Sequence, residues 1–387
     1  MTIEYKILKN YLIATLLFFL TFSFGFLPIY FLPINTTILL ILSFILLIFF
    51  ALFQPIESLK NMKVFGWFLI LLLWYTFHIF QSGQLQYMLV DFRLIYILSS
   101  ATLFFTLYYS HLRNYVAHIL FSAGLIYVIF TVYTFSIITS STEQLGGFTN
   151  IFTSSGLDTT GKDLYQNYGF WFAILMLTSA ELFKKVFKKN LFFSIIFSII
   201  FLTSIIALLL IGARAAFLGA VIGLLYYFKN FDILRSIYII IFILLFILSI
   251  SFFFDDLILT LNRFSRLFSG LDDSSRIFRF TQALDLWSQD WKTILFGAGV
   301  KSYPIFIGSN FSGDYPHNIF LEALSELGLI GLILLLLIFY SVFKDKNIDP
   351  LMSSIAVCMI VIYSFTGGFV DLYNIFFFLG LSTKKNK

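Results

Sequence analysis

Tyr315-Pro316-His317-Asn318-Ile319-Phe320-Leu321-Glu322-Ala323-Leu324-Ser325-Glu326-Leu327-Gly328-Leu329-Ile330-Gly331 runs without a break into Leu332-Ile333-Leu334-Leu335-Leu336-Leu337-Ile338-Phe339. A helix that crosses a bilayer needs about 20 mostly apolar residues. The stretch 317–343 provides them behind a polar head made of Tyr315, His317, Asn318, Glu322 and Glu326. Pro316 fits the first turn of a helix, where its missing N–H costs nothing. The expectation is a helix that enters the membrane from a polar segment, with His317 at its outer N-terminus. Glu322 and Glu326 are four residues apart and share one face of that helix. Carboxylates at such a depth must face protein or water rather than lipid.

The chain around this stretch has the same character. Of its 387 residues 60% are hydrophobic and 12% charged, and the mean hydropathy is +0.95. Soluble domains carry about 25% charged residues, so a soluble fold is excluded. Apolar runs fall at roughly 11–32, 36–53, 64–80, 88–109, 114–138, 165–182, 190–211, 213–229, 236–254, 317–343, 350–366 and 369–383. The expected fold class is therefore all-α, a polytopic membrane protein with about 12 transmembrane helices. Its parts are 1–254 with helices one to nine and a shorter polar loop near 139–164, the large loop 255–316, and 317–387 with helices ten to twelve. Within the large loop, Ile277, Phe278, Phe280, Ala283, Leu284 and Trp287 recur at helix-like spacing, which predicts an amphipathic helix near the membrane surface. The first run follows Lys6 and Lys9 with no small-residue cleavage site, so it reads as a transmembrane helix rather than a removed signal. The two halves differ in loop size, which argues against a transporter built from duplicated halves.

Basic residues set the orientation. Placing the N-terminus in the cytoplasm puts 16 of the 25 Lys and Arg residues on the inner side. Eight fall outside, six of them in the long loop, where charge counts little for topology. Both termini are thus expected in the cytoplasm. The net charge of +5 is spread over short loops and forms no nucleic-acid face. Cys358 is the single cysteine, so neither a disulfide nor a cysteine metal site is possible.

Several residues could carry chemistry on the outer side. Arg214 interrupts an apolar run among small neighbours, Gly212, Ala213, Ala215 and Ala216. Arginine at membrane depth is expensive and is usually retained for a function, although one near a helix end can also snorkel to the headgroups. Arg276 and Arg279 are three residues apart and share a helix face. Two guanidinium groups on one face suit a diphosphate, because each fork can clasp phosphate oxygens through paired hydrogen bonds. Pairing with Asp272, Asp273 or Asp285 is the alternative. Arg263 and Arg266 repeat the spacing, either as further anion contacts or as markers of the membrane edge. His317, beside Tyr315 and Asn318, could act as a general base or as a donor to a leaving phosphate. Glu322 and Glu326 could orient His317, bind a sugar hydroxyl, or pair with an arginine. Asp272-Asp273 has no neighbouring His or Glu to complete a metal site, so no metal and no cofactor is expected.

Gly297-Ala298-Gly299 with Tyr303, then Pro316-His317-Asn318-Ile319-Phe320-Leu321-Glu322 through Glu326-Leu327-Gly328-Leu329-Ile330-Gly331, resembles the signature of the O-antigen ligase and polymerase superfamily. Gly212-Ala213-Arg214-Ala215-Ala216 resembles that family's Ser-Arg-Gly element, with Gly-Ala where Ser is usual. The position of Arg276 resembles the family's second arginine. The resemblance covers roughly 200–343. It implies a metal-independent glycosyltransferase of the GT-C class in the bacterial inner membrane, with its large loop and active site periplasmic. It also implies a glycan donor linked to undecaprenyl pyrophosphate. Arg214, Arg276 and His317 would be the catalytic residues. Arg279, Glu322, Tyr315, Asn318 and Arg266 would contact substrate. The implied reaction is polymerisation, in which a growing glycan passes onto a lipid-linked repeat unit. The alternatives are ligation of the glycan to lipid A core, a multi-spanning peptidoglycan glycosyltransferase, or a flippase for lipid-linked oligosaccharides. Membrane lipids and a chain-length regulator are the further partners expected.

Overall fold

The structure is a computed structural model. It describes residues 3–23, 35–52, 62–82, 92–139, 164–187, 189–211, 213–228, 274–309, 314–345 and 347–383. Among them there is no strand. The helices are α1 (Ile3–Phe22), α2 (Thr36–Leu52), α3 (Met62–Ser82), α4 (Ser100–Tyr108, extended backward by a π-helical turn, Phe92–Ser99), α5 (Arg113–Thr139), α6 (Leu164–Val186), α7 (Leu191–Ile211) and α8 (Arg214–Tyr227). Then follow α9 (Ser274–Trp287), α10 (Trp291–Phe296), α11 (Ser302–Phe306), α12 (Ile319–Phe343), α13 (Pro350–Thr366) and α14 (Leu372–Ser382). Where they are described, the apolar runs are helical, most with boundaries close to those expected, although α1 starts at Ile3 rather than near 11. The run 236–254 lies outside the described residues, as does the loop 139–164 apart from Thr139 and Leu164. Among the described residues, five helices are long and apolar enough to cross a membrane: those containing Glu4–Phe22, Lys63–Phe80, Ser110–Phe130, Leu191–Leu209 and Ile319–Phe343. Five more apolar helices are shorter.

α6 is the centre of the bundle. A helix apolar on every side is stable only when surrounded, and from Tyr168 to Ala180 α6 is buried throughout. Its Thr178 and Ser179 hydroxyls donate back to the Ile174 and Met176 carbonyls, at 2.8 and 2.9 Å, so neither hydroxyl is stranded. α7 is the opposite case. It is equally apolar, yet Leu191, Phe192, Ile195 and Ile199 are exposed, as suits a face turned to lipid.

α13 orients the two ends of the bundle. At its start Asp349 caps Leu351 N and Met352 N, accepts the Arg113 side chain at 2.9 Å, and donates its N–H to the Ser382 carbonyl at 2.7 Å. Tyr11 of α1 meets His118 of α5 near this same end, at 2.8 Å. At the other end of α13, the Thr366 carbonyl accepts from Tyr315 at 3.2 Å. Seventeen helical residues separate the two ends by about 25 Å. The start of α1 and the end of α14 therefore sit together, across the bundle from His317.

Candidate functional site

The head of α12 is shaped by a break in that helix. Gly328 stands at φ 72, ψ −173 in the middle of it. A residue turned out of the helix leaves carbonyls of the preceding turn without their usual N–H partners, and each would be costly in an apolar medium. Three donors replace them. Ala298 N–H donates to the Ser325 carbonyl at 2.9 Å and Gly299 N–H to Glu326 at 3.0 Å. The Trp74 indole of α3 donates to Leu327 at 3.0 Å. The segment Gly297-Ala298-Gly299 thus lies in the kink, backbone on backbone. A Cβ on Gly297 would come 2.5 Å from Gly328 N, and one on Gly328 would come 2.4 Å from Gly297 N. Both glycines have positive φ. Gly297–Gly299 is the clasp that joins the chain after α10 to α12.

That clasp positions α9. Its Ala283 and Leu286 pack on the fully buried Tyr303, whose hydroxyl lies 3.4 Å from the Arg279 carbonyl and 3.3 Å from Gln282 Oε1. Burial pushes the Tyr303 phenol up to about 12, so it stays a donor. The expected apolar face of α9 is corrected in part. Ala283 is buried, but Ile277, Phe278 and Leu284 are exposed, and the face toward the protein also carries the half-buried Arg279.

His317 sits under the arginines of α9. It was expected inside the first turn of the helix, and the structure corrects this. Asn318 is the cap, its Oδ1 accepting from Phe320 N at 2.9 Å and Leu321 N at 3.1 Å. His317 precedes the cap in the left-handed region, at φ 58. Such a conformation is uncommon for a residue with a Cβ, and it turns the chain between Pro316 and the helix. The imidazole lies 4.3 Å from the Tyr315 ring, centroid to centroid. Burial lowers its pKa to about 4, and the Arg279 and Arg276 charges act in the same direction. Asp314 and the Thr366 carbonyl oppose them. The imidazole is therefore neutral at physiological pH and able to accept a proton. Arg279 Nη1 donates to the Tyr315 carbonyl at 3.2 Å and stands 3.7 Å from Asp314 Oδ1.

Other expected site residues fall as follows. Glu322 is buried and its Oε2 accepts from Phe369 N at 2.8 Å. Glu326, one turn deeper, accepts from Tyr303 N at 3.4 Å. The Tyr315 hydroxyl is committed to Thr366. Arg214 opens α8. Gly223 of α8 faces Ser354 and Cys358, and Gly219 faces Cys358 and Ile362. Continuing that antiparallel register one turn brings Arg214 level with the Thr366 end of α13. Gly169 of α6 meets Ala213 and Ala216 there, so the small residues beside Arg214 serve helix contact. Arg263 and Arg266 lie outside the described residues. The turn Thr366–Phe369 was missed as part of the site. Its one signal in the sequence is the pair Gly367-Gly368. Among the described residues no group of three His, Cys, Asp or Glu side chains is placed to share a metal ion.

No curated protein and no solved structure matches this chain. Residues 199–336 match the model of the family described as O-Antigen ligase. The matched segment contains α8 with Arg214, the arginine-bearing α9, the Gly297–Gly299 clasp and the broken head of α12 with His317. The likeness to that family covers this segment of the multi-helix apolar chain and not the helices before it.

Proposed function

We propose that the protein is a glycosyltransferase that takes a glycan from undecaprenyl pyrophosphate at the periplasmic face of the bacterial inner membrane. The observation that carries this reading is α9 bringing Arg279, with Arg276 one turn before it, onto the Tyr315 carbonyl two residues ahead of His317. Glycosyl transfer breaks the bond between the anomeric carbon and the pyrophosphate. The negative charge that grows on the departing oxygen needs preorganised cations. Guanidinium forks supply them without a metal. The attacking hydroxyl must lose its proton, and an unprotonated imidazole beside the arginines can take it. Arg214, level with this end of the bundle, would add a third cation, in a GT-C-like arrangement.

The favoured reaction is polymerisation, in which the growing glycan is passed to the terminal hydroxyl of a lipid-linked repeat unit. The family's description favours ligation to lipid A core as the second reading. A deletion strain separates the two. Loss of a polymerase leaves core bearing one repeat unit, whereas loss of a ligase leaves bare core and lipid-linked polymer. Purified protein should elongate a synthetic polyprenyl-pyrophosphate repeat unit in detergent. Turnover of neither substrate, with transbilayer movement of the lipid in vesicles, would favour the flippase instead.

A further inference from the structure

The turn between α13 and α14 faces the site from outside the segment matched to the family. α13 ends at Thr366, and Gly367 and Gly368 are extended, with φ of −102 and −120. The chain then closes a 3-10 turn at Phe369–Asp371. Four side chains from elsewhere or nearby pin this short segment. Glu322 Oε2 of α12 accepts from Phe369 N at 2.8 Å. Asp371 Oδ2 accepts from Gly368 N at 3.0 Å. The Tyr75 ring of α3 stacks on Phe369 with 5.5 Å between centroids and planes 3° apart. The Tyr315 ring lies where a Cβ on Gly368 would come within 3.2 Å of it and 3.0 Å of Glu322 Oε2. The pinned segment presents the Thr366 carbonyl. That oxygen takes the Tyr315 hydroxyl at 3.2 Å, and the Tyr315 ring lies 4.3 Å from the imidazole of His317.

We propose that Glu322 is a positioning residue for His317. By holding the Phe369 N–H it fixes the turn, so that the Thr366 carbonyl takes one ring N–H and leaves the other nitrogen as the base. A carbonyl partner sets the tautomer of a neutral imidazole. A buried acceptor bonded to a backbone N–H ties the two elements together, because breaking the bond would strand both groups. The role of the base rests on the glycosyltransferase reading, but the control of the tautomer does not. The other groups acting on the ring are Arg276 and Arg279 of α9 and Asp314 in the segment leading to His317.

The test uses the full-length protein in detergent with ring-15N histidine, His317 being assigned by loss of its signals in His317→Ala. The native protein should show one His317 tautomer. Glu322→Ala should give a tautomer mixture. Glu322→Gln keeps an acceptor for Phe369 N and should retain the single tautomer. Gly368→Ala, which crowds Glu322 and Tyr315, should behave like Glu322→Ala and carries the test if that variant does not fold. In turnover of a lipid-linked repeat, Glu322→Ala should lower kcat about 10- to 100-fold with little change in KM for the donor. A single unchanged tautomer in both Glu322→Ala and Gly368→Ala would overturn the assignment. So would a tautomer mixture in Glu322→Gln equal to that in Glu322→Ala. A native protein that shows the tautomer effects yet transfers no glycan would overturn the proposed function and leave the positioning role standing.

Discussion

At the scale of single residues, the proposed reaction divides its chemistry between two guanidinium groups and one imidazole. Losing one preorganised donor to transition-state charge costs about 100- to 1,000-fold in rate. Arg214→Ala, Arg276→Ala and His317→Ala are therefore expected to be nearly inactive while inserting normally, as read by glycan laddering beside membrane-fraction immunoblots. Arg276→Lys should also lose activity, since an ammonium cannot make the paired contact. Substantial activity in well-expressed His317→Ala would reduce the histidine to a turn-former before the Asn318 cap. The pH dependence follows from the same neighbourhood. The His317 imidazole, depressed to about 4 by burial and two arginines, must be neutral to accept a proton. Activity should fall as pH drops through about 4, with no limb near the usual histidine value of about 6.5. A kcat/KM profile with its acid limb near 6.5 would contradict this.

Among the elements, the break in α12 decides most. One non-helical residue exposes carbonyls to an apolar environment, and the Gly297–Gly299 segment and Trp74 satisfy them. Gly328 and Gly308 both have positive φ, 72 and 66, but their surroundings differ. A Cβ on Gly308 would meet nothing within 4 Å, whereas one on Gly328 would come 2.4 Å from Leu295 O. Gly308→Ala should cost only the backbone preference, roughly 1 kcal/mol. Gly328→Ala adds a steric clash and should cost about 3–5 kcal/mol. Thermal unfolding in detergent compares the two directly. Equal shifts would mean that the kink can relax without its clasp. The turn before α14 shows the same economy, since two glycines let the backbone reach both Glu322 and Tyr315.

In the whole molecule, the end of α14 sits with Arg113 and Asp349, and the arginines of α9 and His317 sit across the bundle. The buried Cys358 is a silent background for labelling. Gln289→Cys and Asn347→Cys each place a thiol at an exposed position, at opposite ends. With the outer membrane made permeable, an impermeant maleimide should label Gln289→Cys in intact cells. It should reach Asn347→Cys only after the inner membrane is lysed. Labelling of both from one side would end the proposed topology.

Hydropathy alone determined the helical class and most helix boundaries, because about 20 apolar residues in lipid have few options but to satisfy their backbone within one helix. Spacing alone put Arg276 and Arg279 on one face, and the Pro316-His317-Asn318 sequence marked the head of the helix that follows. These are local properties, readable from neighbours in the chain. Only the tertiary structure decided that His317 stands outside α12 in a left-handed turn, that Gly297–Gly299 fills a kink at Gly328, and that Thr366 and Phe369 reach the site. The kink and the turn depend on hydrogen bonds between groups remote in sequence: Gly299 to Glu326, Trp74 to Leu327, Phe369 to Glu322. No periodicity records which distant N–H will meet an orphaned carbonyl or a buried carboxylate. That pairing exists only once the helices have packed.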